Sequence, residues 1–342
     1  PAARGERVLV TGAAGFIGSH VCQQLAEAGY AVRGTVRDAS DAAKVGHLRA
    51  CCPGIELVEA DLVASDGDAW RSACRGCAYV CHVASPFVTG ATDAELLPPA
   101  VDGSKAVVSA AAAEGVRRVV LTSSVAAISA GRGPEAHGRT FTPEDWTVAE
   151  KADAYPKSKT LAERAARATA QERGIEIVTI HPSYVLGASL STRVDHTSAA
   201  LHLRMMSGSV PASPHMSLGI VSVRDVAATH VAAIERGEPG ARYIAHAGNM
   251  WMSEVAKALR RDEFKRRGAR APRWTAPNFL VRLMARFGDS GAGAIAGMLG
   301  REVYYDTSAT TERLGVRFAS AEDAVVETAR DLLDKGLVKG CN

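Results

Sequence analysis

Residues 8–20 read VLVTGAAGFIGSH. An apolar run ends at Thr11, glycines follow at positions 12, 15 and 18, and apolar residues then recur at helical spacing. A chain written this way leaves a buried strand, turns sharply and enters a helix. Glycine serves such a turn in three ways: it allows the tight reversal, lets backbone approach a pyrophosphate, and packs helix closely on strand. The first N–H groups of the helix lack intrahelical partners, and an anion satisfies them. The stretch predicts a dinucleotide site with Gly12, Gly15, Phe16, Ile17 and Gly18 around the phosphates. An ordinary glycine-rich turn is the alternative, and the glycines alone do not decide between the two.

Outward from this turn, short β-rich runs alternate with longer helical ones. Strands are expected at 7–11, 31–36, 55–60, 78–83, 117–122 and 175–180, and helices near 16–28, 40–50, 66–74, 93–114 and 151–173. Several strands are apolar throughout, as in a parallel sheet covered on both faces. Repeated β-α-β units with right-handed crossovers give a doubly wound α/β fold of Rossmann type. After residue 181 the pattern loosens, with Pro182, Pro211 and Pro214 amid Ser and Gly. Two further short strands, GIVSV (219–223) and ARYIAHA (241–247), flank a helix at 224–236. The expected division is a dinucleotide-binding domain at 1–180, with 219–246 returning to its sheet. Residues 181–218 and 247–342 then form a smaller, mostly helical substrate-binding part.

Composition narrows the function. The chain has 342 residues, 47% of them hydrophobic, enough for a large core. A formal charge of +3, from 40 basic and 37 acidic residues, gives no polyanion-binding signal, so no nucleic-acid partner is expected. The basic cluster from Arg260 to Arg273 is interrupted by Asp262 and Glu263 and reads as a solvated helix face. No apolar run approaches the ~20 residues that span a bilayer, so no membrane partner is expected. The strand-like RVLV so near the start argues against a signal peptide, and seven cysteines fit reduced thiols in a cytoplasmic protein. Cys74, Cys77 and Cys81 form C-x₂-C-x₃-C; burial in the strand YVCHVA is favoured over a metal site.

The end of the second strand selects the cofactor. An acidic residue there hydrogen-bonds the ribose of NAD, whereas Arg accommodates the 2′-phosphate of NADP. Here the strand ends GTVRDAS, with Arg37 in the deciding place, Asp38 behind it, and Lys44 within reach on the next helix. NADP(H) is favoured, and Asp38 keeps NAD open. Asp61, followed by Leu62, stands where an acceptor would hold the adenine amino group. The fourth strand ends HVASP, and Val83, Ala84 and Ser85 suit a close approach to the nicotinamide ribose.

Residues 154–164, AYPKSKTLAER, carry the chemistry. Tyr155 and Lys159 are one turn apart on one helix face. Asp153 is a candidate N-cap, placing Pro156 in the first turn, where its missing N–H is no loss. A free phenol has a pKa near ~10, and a neighbouring ammonium lowers it, so Tyr155 is the candidate proton donor to a carbonyl oxygen. Ser124, after the fifth strand, lies at the carboxyl edge of the sheet, where ligands bind in open α/β folds. Alternation along the strand turns Ser123 the other way.

The order of these motifs resembles the extended short-chain dehydrogenase/reductase superfamily. It is most similar to the branch with dihydroflavonol 4-reductase, cinnamoyl-CoA reductase and aldehyde or ketone reductases. The resemblance runs through VTGAAGFIGSH, TVRD, HVASP, LTSSVAAI, YPKSKTLAE, HPSYVLG and VSVRDVAATHV, and fades after about residue 250. It implies Ser124, Tyr155 and Lys159 as catalytic triad, Arg37 and Lys44 as phosphate ligands, and Asp61 at the adenine. It also implies that His181, Pro182, Ser183 and Val185 lie along the nicotinamide. The substrate pocket is implied at Pro86, Phe87, Val125, Ile128, Tyr184, Met205, Met206 and Val221. SVAAI is apolar where the plant flavonoid enzymes are polar, so a general aldehyde or ketone is expected rather than a flavonoid.

The expected activity is NADPH-dependent carbonyl reduction by a monomer or homodimer. The rivals are a nucleotide-sugar epimerase or dehydratase holding NAD, with Arg193 and Arg204 for a diphosphate, a hydroxysteroid dehydrogenase, and a non-catalytic cofactor sensor. Arg37 argues against the first, and the joint presence of Ser124, Tyr155 and Lys159 against the last.

Overall fold

Strands that are apolar on both sides need two covering layers. In a computed structural model describing residues 5–86, 91–192, 197–288 and 290–338, they receive them. The units run β1 (Arg7–Thr11), α1 (Phe16–Glu27), β2 (Ala31–Val36), α2 (Ala42–Cys51), β3 (Glu56–Glu59), α3 (Gly67–Cys74) and β4 (Tyr79–His82). Then follow α4 (Asp93–Ala113), β5 (Arg118–Thr122), α5 (Ala126–Ser129), β6 (Thr140–Phe141), α6 (Ala154–Arg173) and β7 (Glu176–Pro182). The continuation is β8 (Tyr184–Leu186), α7 (Thr197–Met206), β9 (Ala212–Pro214), β10 (Ser217–Ser222), α8 (Val223–Arg236) and β11 (Arg242–Ala245).

The seven-stranded sheet has the order β11-β7-β5-β4-β1-β2-β3, and all its pairs are parallel. The order reverses between β1 and β4, the switch point at which such sheets bind ligands. Alternation assigns the two faces. Val8, Val10, Cys81, Val120, Val178 and Ile180 pack with α1, α2 and α8. Leu9, Val80, Val119, Leu121 and Ile177 pack with α3, α4 and α6. Each fully buried Val, Leu or Ile contributes about 1.5–3 kcal/mol relative to exposure.

Of segment 219–246, only β11 joins this sheet. β10 instead pairs parallel with β8 and antiparallel with β12 (Gly248–Trp251), forming a separate three-stranded sheet. That corrects the expectation that both late strands return: β10 follows β8, which has already left the main layer.

A second core lies under this small sheet, built from Met205, Met206, Ile220, Met250 and helices α9 (Met252–Leu259) and α13 (Ala321–Asp334). Between them come α10 (Asp262–Lys265), β13 (Trp274–Ala276), α11 (Asn278–Arg286), α12 (Ser290–Ile295) and β14 (Tyr304–Tyr305). No helix among the described residues is long and apolar enough to cross a membrane. Cys74, Cys77 and Cys81 are buried free thiols, and burial pushes each thiol pKa up.

Candidate active site

The first turn is made of backbone. Gly12 has φ +65°, and a Cβ there would stand 3.0 Å from the Ala84 Cα. A Cβ on Gly18 would fall 2.2 Å from the Gly12 carbonyl oxygen, which has nowhere to go. Gly15 caps α1 and donates its N–H to that same oxygen at 3.0 Å, leaving Phe16 and Ile17 half-buried at the helix start. Thr35 closes the turn from β2: its carbonyl accepts from Ala13 N–H at 3.1 Å and its hydroxyl from Gly12 N–H at 3.1 Å. Across the switch point, the Thr11 hydroxyl accepts from Ala84 N–H at 3.0 Å and lies 2.8 Å from His82 Nδ1. Val83, Ala84, Ser85 and Pro86 follow, all half-buried.

Past β2, Arg37 is exposed. Asp38 is folded back on its own loop. Its Oδ1 accepts from Ser40 N–H at 2.9 Å, Ser40 Oγ at 2.6 Å and Asp41 N–H at 3.3 Å, and these bonds hold its carboxyl below the usual range. Lys44 pairs with Asp41 at 2.6 Å. Asp61 accepts from Val63 N–H at 2.8 Å and Ala64 N–H at 3.2 Å and so caps a turn. Leu62 packs on α4 at Gly103, where a Cβ would come within 2.9 Å.

The other half of the edge is made of side chains. Ser124, just beyond β5, accepts from Ala126 N–H at 3.1 Å and hydrogen-bonds the Tyr155 hydroxyl. Helix α6 opens at Ala154, which places Tyr155 and Pro156 in its first turn. Asp153 holds the N-cap position without a side-chain capping bond. One turn on, Lys159 is only 9% exposed and donates from Nζ to the Thr122 carbonyl at 3.5 Å. Burial pushes the Lys159 ammonium down to about 8, opposed by Glu163. Burial also pushes the Tyr155 phenol up, with the Ser124 bond opposing. The sequence led us to expect the cation to lower the phenol; in this structure desolvation is the larger influence, so the direction is reversed.

His181 and Pro182 end β7 and are buried, as is Ser183; Val185 in β8 is half-buried. Ser123 N–H donates to the Ile180 carbonyl at 2.8 Å and Val125 N–H to the Pro182 carbonyl at 3.0 Å, lacing the tips of β5 and β7. Of the candidate pocket residues, Pro86, Val125 and Tyr184 are half-buried near this edge. Ile128, Met205, Met206 and Val221 have no exposed surface and belong to core clusters, a correction to their expected place on a pocket wall. Phe87 and Arg193 lie outside the described residues.

The sequence reading did not single out Glu163, one turn beyond Lys159 and 1% exposed. Its carboxylate accepts from Ser123 Oγ at 2.6 Å, Thr179 Oγ1 at 3.4 Å and Arg242 Nε at 2.7 Å, and lies 2.8 Å from His181 Nε2. Arg242 also donates to the Pro143 and Asp145 carbonyls and stacks 3.9 Å from the Trp146 ring centroid. The signal was present: a carboxylate on the covered face of α6 and an arginine inside a strand, of opposite sign.

A sequence model of the NAD dependent epimerase/dehydratase family matches residues 8–245. Cinnamoyl-CoA reductase CAD2 of Medicago truncatula is 38% identical over 272 residues, covering 75% of this chain and 80% of that protein. An anthocyanidin reductase of Vitis vinifera is 34% identical over 269 residues, covering 73% and 79%. Among solved structures, yeast methylglyoxal/isovaleraldehyde reductase Gre2 complexed with NADPH superposes with a TM-score of 0.77 at 28% identity, covering 97% of this chain and 99% of that one. With its glycine turn, its switch point and its Ser-Tyr-Lys edge, the chain belongs to the NAD dependent epimerase/dehydratase family, the extended short-chain dehydrogenase/reductases.

Proposed function

We propose that this protein is an NADPH-dependent carbonyl reductase acting on an aldehyde or ketone. The hydrogen bond from the Ser124 hydroxyl to the Tyr155 phenol oxygen, one turn from the buried Lys159, carries the reading. An acid, a carbonyl-polarising hydroxyl and a cation together meet the needs of proton delivery to oxygen. The reductases among its relatives agree with it.

The first turn fits a dinucleotide: Gly12 and Gly18, where a Cβ would strike the backbone of Ala84 or Gly12, let the chain turn tightly between β1 and α1, as a pyrophosphate-binding turn requires. Gly12, Gly15, Phe16, Ile17 and Gly18 would hold the phosphates, with Asp61 and Leu62 towards the adenine. Val83, Ala84, Ser85, His181, Pro182, Ser183 and Val185 would border the nicotinamide. Arg37 would meet a 2′-phosphate, with Lys44 released from Asp41 to join it. The Asp38 oxygen engaged by Ser40 and Asp41 is less available to a ribose hydroxyl, which favours NADP over NAD. When bound, NADPH supplies hydride to the carbonyl carbon. Ser124 polarises the carbonyl oxygen, Tyr155 gives it a proton, and Lys159 steadies the phenolate left behind and holds the ribose. Pro86, Phe87, Val125 and Tyr184 would face the substrate.

The test is consumption of NADPH or NADH, followed at 340 nm, with a panel of aldehydes, ketones and nucleoside-diphosphate sugars. Carbonyl-dependent loss of NADPH, faster than of NADH, is expected. Inactivity across all carbonyls, or NAD-dependent turnover of the sugars alone, would overturn the reading.

A further inference from the structure

Glu163 is a buried charge that the mechanism above does not use. It faces Lys159 and Arg167 from its own helix, His181 from β7, Arg242 from β11 and the Ser123 hydroxyl from just beyond β5. Lys159 is faced in turn by His82 from β4. Lys159, Ser123 and Glu163 line one narrow crevice with Pro86 and Thr122. An isolated ion pair of Glu163 and Arg242 would suffice to staple the edge strand β11 to the sheet. That staple does not explain why the same carboxylate also takes Ser123, the residue between the Lys159 acceptor Thr122 and the candidate catalytic Ser124.

We propose that Glu163 is a positioning residue for the Ser124–Tyr155–Lys159 set: it clamps the tip of β5 through Ser123 and supplies the counter-charge to Lys159. The proposal rests on the reductase reading. Lys159 alone would lose its proton readily in so buried a place, and the carboxylate one turn away opposes that loss. Neutralising Glu163 removes the opposition, so Lys159 deprotonates at lower pH. Reductase activity, which needs the cation, then fails earlier as pH rises.

The test reads Lys159 directly by ¹³Cε-lysine NMR, assigned with K159M, alongside kcat against pH. In Glu163→Gln the Lys159 midpoint and the alkaline limb of kcat should both move down by about one unit or more, the effect of losing an opposite charge at close range. In Glu163→Asp, which keeps the charge, both should stay near their original values even as Tm drops. An unmoved midpoint in Glu163→Gln, with only Tm or a pH-independent loss of kcat affected, would overturn the proposal and leave a structural staple. Should Glu163→Gln not fold, Ser123→Ala isolates the clamp: kcat should fall about tenfold, the loss of one hydrogen bond to a charged group, with KM for NADPH unchanged. Full kcat there would overturn it. The NMR arm decides the matter without turnover, so a protein that reduced no carbonyl would sink the reductase reading separately.

Discussion

The two halves of the sheet's carboxyl edge are built by opposite means. On the β1–α1 side the work is done by missing side chains: Gly12 and Gly18 stand where a Cβ would strike backbone. On the β5–α6–β7 side it is done by charged and hydroxyl groups taken out of water around Glu163, Lys159 and Arg242. A backbone cradle needs only local geometry and can be read from spacing. A desolvated network needs partners from distant parts of the chain, and burial shifts the acidity of Tyr155 and Lys159 within it.

Substitutions can break this comparison, and the largest effect should come from the chemical half. Tyr155→Phe removes the proposed proton donor and should lower kcat by ~10²–10⁴-fold. Its NADPH affinity, measured by fluorescence titration, should change little. Normal turnover in that variant would remove Tyr155 from the mechanism. Gly18→Ala should act through the fold of the turn instead. With backbone 2.2 Å from the new Cβ, it should cost about 1–3 kcal/mol of stability by overpacking, with a marked loss of NADPH affinity; unfolding curves and titration check both. Arg37→Ser should raise KM for NADPH by ~10–100-fold, the worth of a lost charge-assisted hydrogen bond, and leave KM for NADH nearly unaltered. Equal effects on the two cofactors would count against a phosphate contact.

Acid should sharpen the comparison from the side of burial. Desolvation pushes His20, His82, His230 and His246 down to about 4, 3, 4 and 4. These rings are neutral in the fold, while the unfolded chain takes up their protons near its pKa of ~6.5. The stability they contribute is complete above that value and is lost as pH falls towards the folded pKa values. A loss of at least ~2 kcal/mol between pH 7 and pH 5 is expected in chemical denaturation; a flat profile would mean that the rings are reached by water. The smallest effect is a control for the glycines. Gly46 is exposed in the interior of α2 with nothing within 4 Å of a Cβ. Gly46→Ala should therefore stabilise by about 0.5–1 kcal/mol, the opposite sign to Gly18→Ala.

Much of this was legible because local rules governed it. The first six strands of the main sheet fall within two residues of their expected spans, since continuous apolar runs bounded by turns leave little choice. Gly12 and Gly18 announced themselves by spacing, and Tyr155 and Lys159 by one helical turn. What escaped depended on contacts across the chain. Met205 and Met206 sit on α7, and nothing local to that helix says that both close a core with α9 and α13. Val221 belongs to a strand whose partners are β8 and β12, and a run of five apolar and small residues does not reveal which sheet it joins. Glu163 escaped for the same reason, because its partners come from β5, β7 and β11.

That dispersal bears on biosynthesis. Arg242 lies 79 residues after Glu163, so a nascent chain carries the carboxylate out of the ribosome well before its guanidinium partner. Until β11 docks, Glu163 lacks the guanidinium that pairs with it at 2.7 Å. Completion of the proposed catalytic edge is thus tied to arrival of the last strand of the main sheet, and truncation ahead of Arg242 should leave a chain that gathers its glycine turn but not the Glu163 network.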